Sequence, residues 1–467
     1  MALHHDRLLP ADTGVRAIAR GLYESVAGLP IVSPHGHTDP RWYAEDLPFP
    51  DPATLLIKPD HYIFRMLYSQ GVRLEDLGIA RVDGSPVEAD PRKIWRLFAK
   101  HWYLFRGTPT RLWFEQSLQD IFGVTERLTP ANADAIYDRV AARLGDPDIR
   151  PRALYSQFNI EVISTTDSAL DDLAWHDRIR ASGWNGRVIP AYRPDAVVDA
   201  DFVGFRHNVE TFVTKAGFDA LTWENYLQAH RQKRAYFKER GATATDHGHP
   251  TARTANLDAS AASALFDRVM GQNSTREDEE LFRAQMLTEM AKMSLDDGLV
   301  MQIHPGSVRN HNPGLFAAFG RDMGADIPSA TDYVTALRPL LDLVGNRSDL
   351  TIVLFTLDET AYSRELAPLA GHYPALRLGP PWWFFDSPEG MMRFRETATE
   401  TAGFYNTAGF NDDTRAYLSI PARHDVARRI DSAYLARLVA EHRLDEDEAH
   451  DVVRDLAYGL AKTTYKL

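Results

Sequence analysis

The sequence predicts an α/β protein, a distorted (β/α)8 barrel of the TIM type with a helical insertion after its first strand. Three observations predict it: short β-branched runs recur along the chain, amphipathic helical stretches separate them, and one long interval carries helical periodicity alone. The runs are 29–37 (LPIVSPHGH), 158–167 (FNIEVISTTD), 186–194 (GRVIPAYRP), 241–249 (GATATDHGH), 298–306 (GLVMQIHPG), 350–358 (LTIVLFTLD), 375–383 (ALRLGPPWW) and 407–413 (TAGFNDD). The last two are short and contain Gly or Pro, which weaken a strand.

The interval between the first two runs predicts an α-helical insertion over 41–152, leaving 1–40 and 153–467 for the barrel and its C-terminal helices. Asp90 followed by Pro91 has the pattern of an N-cap and a first helical residue, and Ile94, Leu97, Phe98, Trp102 and Phe105 follow at helical spacing. Thr129-Pro130 predicts a second start, with Ile136, Val140 and Leu144 on one face and Gly145 as the stop. Helices near 423–443 and 446–462 are expected to end the chain.

Composition narrows the chemistry. The 467 residues contain no cysteine, which excludes disulfides, thiolate metal sites and a cysteine nucleophile. Any metal must be held by His, Asp or Glu. The formal charge of −13 disfavours nucleic acid and anionic membranes as partners. The opening MALHHDRLLPADTG has no basic stretch ahead of an apolar core, and no apolar run reaches membrane-spanning length, so a cytoplasmic chain is expected.

The barrel frame gives candidate residues a place, because active sites of such barrels lie where the strands end. His35 and His37 flank Gly36 at the end of the first run, and in an extended chain residues two apart point the same way. The pair therefore suits two ligands of one cation. The eighth strand closes against the first, so Asp413, or its neighbour Asp412, is the carboxylate expected beside them; capping of the next helix is the structural alternative for Asp413. His304 ends the fifth run and fits a ligand, a proton carrier or a satisfied polar residue.

Arg193 at the end of the third run, Arg309 beyond the fifth and Arg415 after Asp413 form a candidate carboxylate clamp for an anionic substrate. His61 and Tyr62, in Lys58-Pro59-Asp60-His61-Tyr62, begin a helix of the insertion and could reach over the barrel mouth. Trp382 and Trp383 end the seventh run, where an aromatic face lines a sugar or fills the rim. No phosphate loop, nucleophile elbow or basic-aromatic patch occurs.

The ordered set HGH, KPDHY, YRPD, QIHPGSVRN, PPWWFFD and DDTRAYLSIPARHDVARR resembles the uronate (glucuronate) isomerase family of the amidohydrolase superfamily, across nearly the whole chain. The resemblance implies reversible aldose–ketose isomerisation of D-glucuronate to D-fructuronate and of D-galacturonate to D-tagaturonate. It implies one divalent metal, zinc by the family pattern, on His35, His37 and Asp413. It also implies substrate-facing roles for His61, Tyr62, Arg193, His304, Arg309, Trp382 and Arg415. A second metal is not expected, since the fourth and sixth runs lack the lysine and histidine that two-metal hydrolases of the superfamily place there.

Proton transfer between carbon 2 and carbon 1 requires a base at the carbon and positive charge or donors at the oxygens. Asp413 is the preferred base, with Tyr62 and His61 assisting at the carbonyl oxygen. The alternatives at this point are a metal-dependent hydrolase and a noncatalytic sugar-acid-binding barrel. The expected partners are a hexuronate and further copies of the chain.

Overall fold

The computed structural model describes residues 3–271 and 273–467. Its centre is a curled parallel sheet in the order β1 (Ile31–Ser33), β2 (Ile160–Ser168), β3 (Val188–Arg193), β4 (Ala244–His247), β5 (Val300–Ile303), β8 (Ile352–Leu354) and β9 (Leu376–Leu378). Six of the predicted runs thus pair with the next run along the chain, as right-handed βα units require. Residues such as Ile352, Val353 and Leu354 are fully buried, because helices cover one face and the barrel interior the other.

The strands are shorter than the runs that predicted them. Pro34 supplies no N–H and ends β1 at Ser33, so His35 and His37 stand on the loop above the strand instead of on it. Pro380 and Pro381 stop β9 in the same way, one residue after Gly379 N–H makes its last bond, to Leu354 O at 2.9 Å. The eighth run departs furthest from expectation. It keeps one parallel bridge, Leu378 to Thr407, and no ladder to β1 among the described residues.

Gly409 at φ 75° and Asp413 at φ 38° bend this segment out of the extended region. Even so it fills the eighth position: Ala408 N–H donates to Leu378 O at 2.8 Å, and His37 N–H donates to Thr414 O at 3.0 Å. The fold is therefore a distorted (β/α)8 barrel whose seam is closed by a backbone hydrogen bond in place of a ladder.

The sequence reading missed a short antiparallel pair, β6 (Ser307–Val308) with β7 (Ile327–Pro328), which throws out the excursion 309–326 beyond β5.

The interval between β1 and β2 is wholly helical in its regular structure. Asp90 caps Pro91–His101 by accepting from the N–H groups of Arg92 and Lys93. The second predicted start is displaced. Asn132 Oδ1 accepts from the Thr129 N–H and hydroxyl at 2.7 and 2.8 Å, closing a turn, and the helix begins at Ala133 and runs to Leu144. Trp95, Phe98, Phe105, Ile136 and Val140 bury together, and their cluster continues into Ile31, Ile160 and Ile163 of the barrel. This shared core fixes the helix His61–Tyr68 over the strand ends, its first turn capped by Asp60.

After the eighth segment the chain forms Ile420–Ala440, Glu446–Arg454 and Leu460–Tyr465. Ile420–Ala440 is buried along most of its length and carries Arg423 and His424 toward the strand ends.

Gly409 couples the last of these helices to the barrel seam. A Cβ there would lie 2.7 Å from Ala461 N, and the backbone is left-handed. Gly409→Ala is expected to lose about 2–4 kcal/mol of stability, read as a lower urea midpoint at unchanged slope.

Candidate active site

The strand ends, the excursion 309–326 and the helix His61–Tyr68 enclose a cleft of about 380 Å³. All ten predicted residues line it: His35, His37, His61, Tyr62, Arg193, His304, Arg309, Trp382, Asp413 and Arg415. Asp412, the alternative to Asp413, turns away from it and pairs with His424 Nε2 at 3.1 Å.

At its floor, Asp413 Oδ1 lies 3.3 Å from His35 Nε2 and 3.0 Å from His37 Nε2. These are close to the ~3.3 Å that separates two ligand atoms across a tetrahedral ion. Asp413 Oδ1 is buried and has no aligned hydrogen-bond donor, as expected of groups that point at a common centre instead of at each other. His35, His304 and Asp413 offer ligand atoms within 4.8 Å of one another. The donor set therefore fits one divalent cation, with His304 in the place where His37 was predicted; His37 is outside this group of three, although its Nε2 lies 3.0 Å from Asp413 Oδ1. Burial opposes charge on Asp413, but the His35 and His37 imidazoles hold its carboxyl well below the usual range.

His304 is held on three sides. Its ring stacks on His35 at 4.7 Å and on Phe355 at 3.9 Å, and meets Trp382 edge-on at 4.7 Å. Its Nδ1 lies 2.7 Å from Asp246 Oδ1, while Asp246 Oδ2 lies 3.1 Å from Arg193 Nη1. Asp246, at the end of β4, thus links a predicted histidine to a predicted arginine. Burial raises its carboxyl, but Arg193 and His304 outweigh that and hold it well below the carboxylate range.

The three predicted arginines converge on the cleft, and each already has a carboxylate. Arg193 Nε donates to Asp195 at 2.7 Å, Arg309 to Asp326 at 2.9 Å and Arg415 to Asp322 at 3.0 Å. Five arginines line the cleft against six aspartates, so its own side chains do not make it positive. A divalent cation would reverse that balance.

Tyr62 also has a partner. Its hydroxyl donates to Asp386, 3.0 and 3.1 Å from the two oxygens, and accepts from Phe384 N–H at 3.3 Å. Asp386 is held in turn by Arg423 at 2.9 Å, and that guanidinium packs 3.6 Å from the Trp113 ring of the insertion. Burial and the Asp386 carboxylate push the Tyr62 hydroxyl well above its ordinary value. His61 sits edge-on to Trp383 at 5.1 Å, and burial together with Arg415 lowers its imidazole to about 3.

The sequence reading did not single out Asp195, Asp246, Asp386 or Arg423. A signal existed: Asp195, Asp386 and Arg423 fall within quoted motifs, and Asp246 ends a predicted strand. Arg321, Asp322 and Asp326 lie in the excursion, which carried no motif.

The glucuronate isomerase family profile matches residues 6–465. The chain belongs to the glucuronate isomerase family. It is 68% identical to a uronate isomerase of Rhizobium meliloti over 462 residues, which is 99% of this chain and 98% of that one. The crystal structure of glucuronate isomerase from Caulobacter crescentus superposes with a TM-score of 0.98 at 60% identity, covering 100% of this chain and 97% of that chain. A uronate isomerase structure from Thermotoga maritima gives a TM-score of 0.92 at 28% identity, with all of both chains covered. The family's enzymes are aldose–ketose isomerases, and the fold and cleft described above agree with that membership.

Because the His61 imidazole gains a proton only near pH 3, it is neutral throughout the working range, a hydrogen-bond partner and not an acid. His61→Gln is expected to lower kcat/KM by about tenfold while leaving the acid limb of the pH–rate profile at its wild-type position.

Proposed function

We propose that the enzyme interconverts D-glucuronate with D-fructuronate and D-galacturonate with D-tagaturonate. One observation carries the reading at the site: a carboxylate that shares one oxygen between two imidazoles opens into the same cleft as the arginine-lined wall. The first suits polyhydroxy carbonyl chemistry, and the second suits a sugar that bears a carboxylate.

His35, His37 and Asp413 would hold one divalent cation, with His304 alongside, and imidazole plus carboxylate donors suit zinc. Such a cation supplies positive charge against the oxyanion that develops at carbons 1 and 2.

With Oδ1 of Asp413 facing the imidazoles, Oδ2 is the oxygen that takes the proton from carbon 2. The C–H electron pair becomes the double bond of the enediol as the carbonyl oxygen gains a proton. Return of the proton to carbon 1, with loss of the proton on the carbon-2 hydroxyl, completes the ketose. His304, fixed by its stacked neighbours, and neutral His61 are the donors set around the carbonyl oxygen. Tyr62 joins them only by turning its hydroxyl proton away from Asp386. Trp382 shields the reacting end from water, and the arginine wall orients the sugar. No helix among the described residues is long and apolar enough to cross a membrane; a cytoplasmic assembly of several copies completes the proposal.

Incubation with D-glucuronate in deuterated water is expected to give the ketose by NMR with deuterium at the transferred position. Hydrolysis of amides or lactones instead, or binding without exchange at carbon 2, would refute the isomerase reading. Asp413→Asn is expected to lower kcat by about 10³-fold or more. Chelation should abolish turnover and readdition of zinc restore it, with bound metal measured in parallel.

A further inference from the structure

We infer that Tyr465 is a positioning residue of the active site: its hydroxyl holds the side chains that lie directly beneath the cleft floor. The inference rests on the isomerase reading. Tyr465 is fully buried at the end of the helix Leu460–Tyr465, and its hydroxyl donates to Gln302 Oε1 at 2.9 Å. Other fully buried tyrosines, Tyr226, Tyr333 and Tyr417, donate to backbone carbonyls, which satisfies a core hydroxyl and does no more. Tyr465 instead bonds a side chain on one of the strands that build the site.

Gln302 lies in β5 two residues before His304, and residues two apart in an extended chain share a face. Across the sheet it is the register partner of Asp246 in β4, and its Nε2 donates to Thr245 O at 3.3 Å. Its amide therefore spans the two strand ends that carry the Asp246–His304 contact, and it has no exposed surface through which water could replace a lost donor. Asn411, two residues before Asp413, stands beside the same hydroxyl, and its buried Nδ2 has no aligned partner. Burial pushes the Tyr465 hydroxyl well above its ordinary value; Asn411 draws it down, and the Asp246 and Asp413 carboxylates push it up. One O–H thus lies under both flanks of the floor, the His304 side and the Asp413 side.

The helix is fixed where it can deliver that group. Ala461 packs with Val32, Val162 and Ile189 of β1, β2 and β3, while its backbone presses on Gly409. Lys462 Nζ reaches Glu161 at 2.6 Å and Lys466 Nζ reaches Gly298 O at 2.8 Å, beside the starts of β2 and β5. Tyr465 therefore enters the barrel from the end opposite the cleft and touches no substrate. Loss of its O–H leaves Gln302 Oε1 buried and unpaired, a cost the amide relieves by turning, which frees the ends of β4 and β5. A displacement of about 1 Å at Asp246 or His304 is enough to slow the proton transfers, because they depend on the placement of reacting atoms. Binding of the sugar, spread over the arginine wall, is affected less.

The test compares the metal-loaded wild type with Tyr465→Phe, Gln302→Met and the double variant, each assayed at a temperature where it is fully folded. Tyr465→Phe keeps the ring and removes only the hydroxyl. Its kcat for D-glucuronate is expected to fall about tenfold with KM within about threefold of wild type, and the visible absorption bands of the cobalt-loaded protein are expected to shift. The double variant should be no slower than the slower single variant, since both remove the same contact. Should Tyr465→Phe fail to fold, Gln302→Met carries the same expected kcat loss and band shift. A folded variant whose kcat and cobalt bands match the wild type, with only its urea midpoint lowered, overturns the inference, as do losses that multiply in the double variant. Failure of the wild type to isomerise hexuronates would refute the functional reading separately, because the cobalt spectra are recorded without turnover.

Discussion

The structure turns on the sharing of one Asp413 oxygen between His35 and His37. The partners come from opposite ends of the chain, one from the loop above β1 and the other from the segment in the eighth barrel position. Bringing them together requires the barrel to close. The closing backbone hydrogen bond, His37 N–H to Thr414 O, involves one of these residues and the immediate neighbour of another. Closure of the fold and assembly of the ligand cluster are therefore the same event. A seam built this way tolerates the loss of a regular eighth strand, since side-chain chemistry and the buried helix Ile420–Ala440 hold the segment in place.

Charge is the second constraint. A buried carboxylate or guanidinium is costly unless paired, and the cleft obeys that rule almost throughout. Asp246 binds His304 and Arg193, Asp386 binds Tyr62 and Arg423, and Asp326 binds Arg309, while the more exposed Asp322 binds Arg415. The pairing orients each side chain through fixed geometry, which is what precise placement of a sugar requires. It also removes the positive field that a simple count of arginines suggested. A divalent cation held at the floor would restore attraction for an anion.

The helical insertion does more than cover the barrel. Its helix His61–Tyr68 places two cleft residues, and Trp113 from another of its helices packs on Arg423. The Tyr62, Asp386 and Arg423 chain joins insertion, post-β9 loop and C-terminal helix at one point. The apolar core continuous from Ile136 to Ile160 gives that junction a rigid base.

Local sequence determined the barrel class, the helical character of the insertion and ten of the residues that line the cleft. Period-2 and period-3.6 patterns, N-caps such as Asp90, and a His-x-His pair at a strand end are set by near neighbours in the chain, so they can be read there. The tertiary structure decided what those residues meet. It cut the strands where Pro34 and Pro380 remove donors, reduced the eighth strand to a bridge because Gly409 and Asp413 take left-handed backbone, and moved a helix start to Ala133. It also paired three arginines with aspartates and left Arg321, in a stretch without any motif, on Phe202. Ion pairing and ring stacking depend on distances between segments far apart in the chain, and such distances exist only once the barrel has closed.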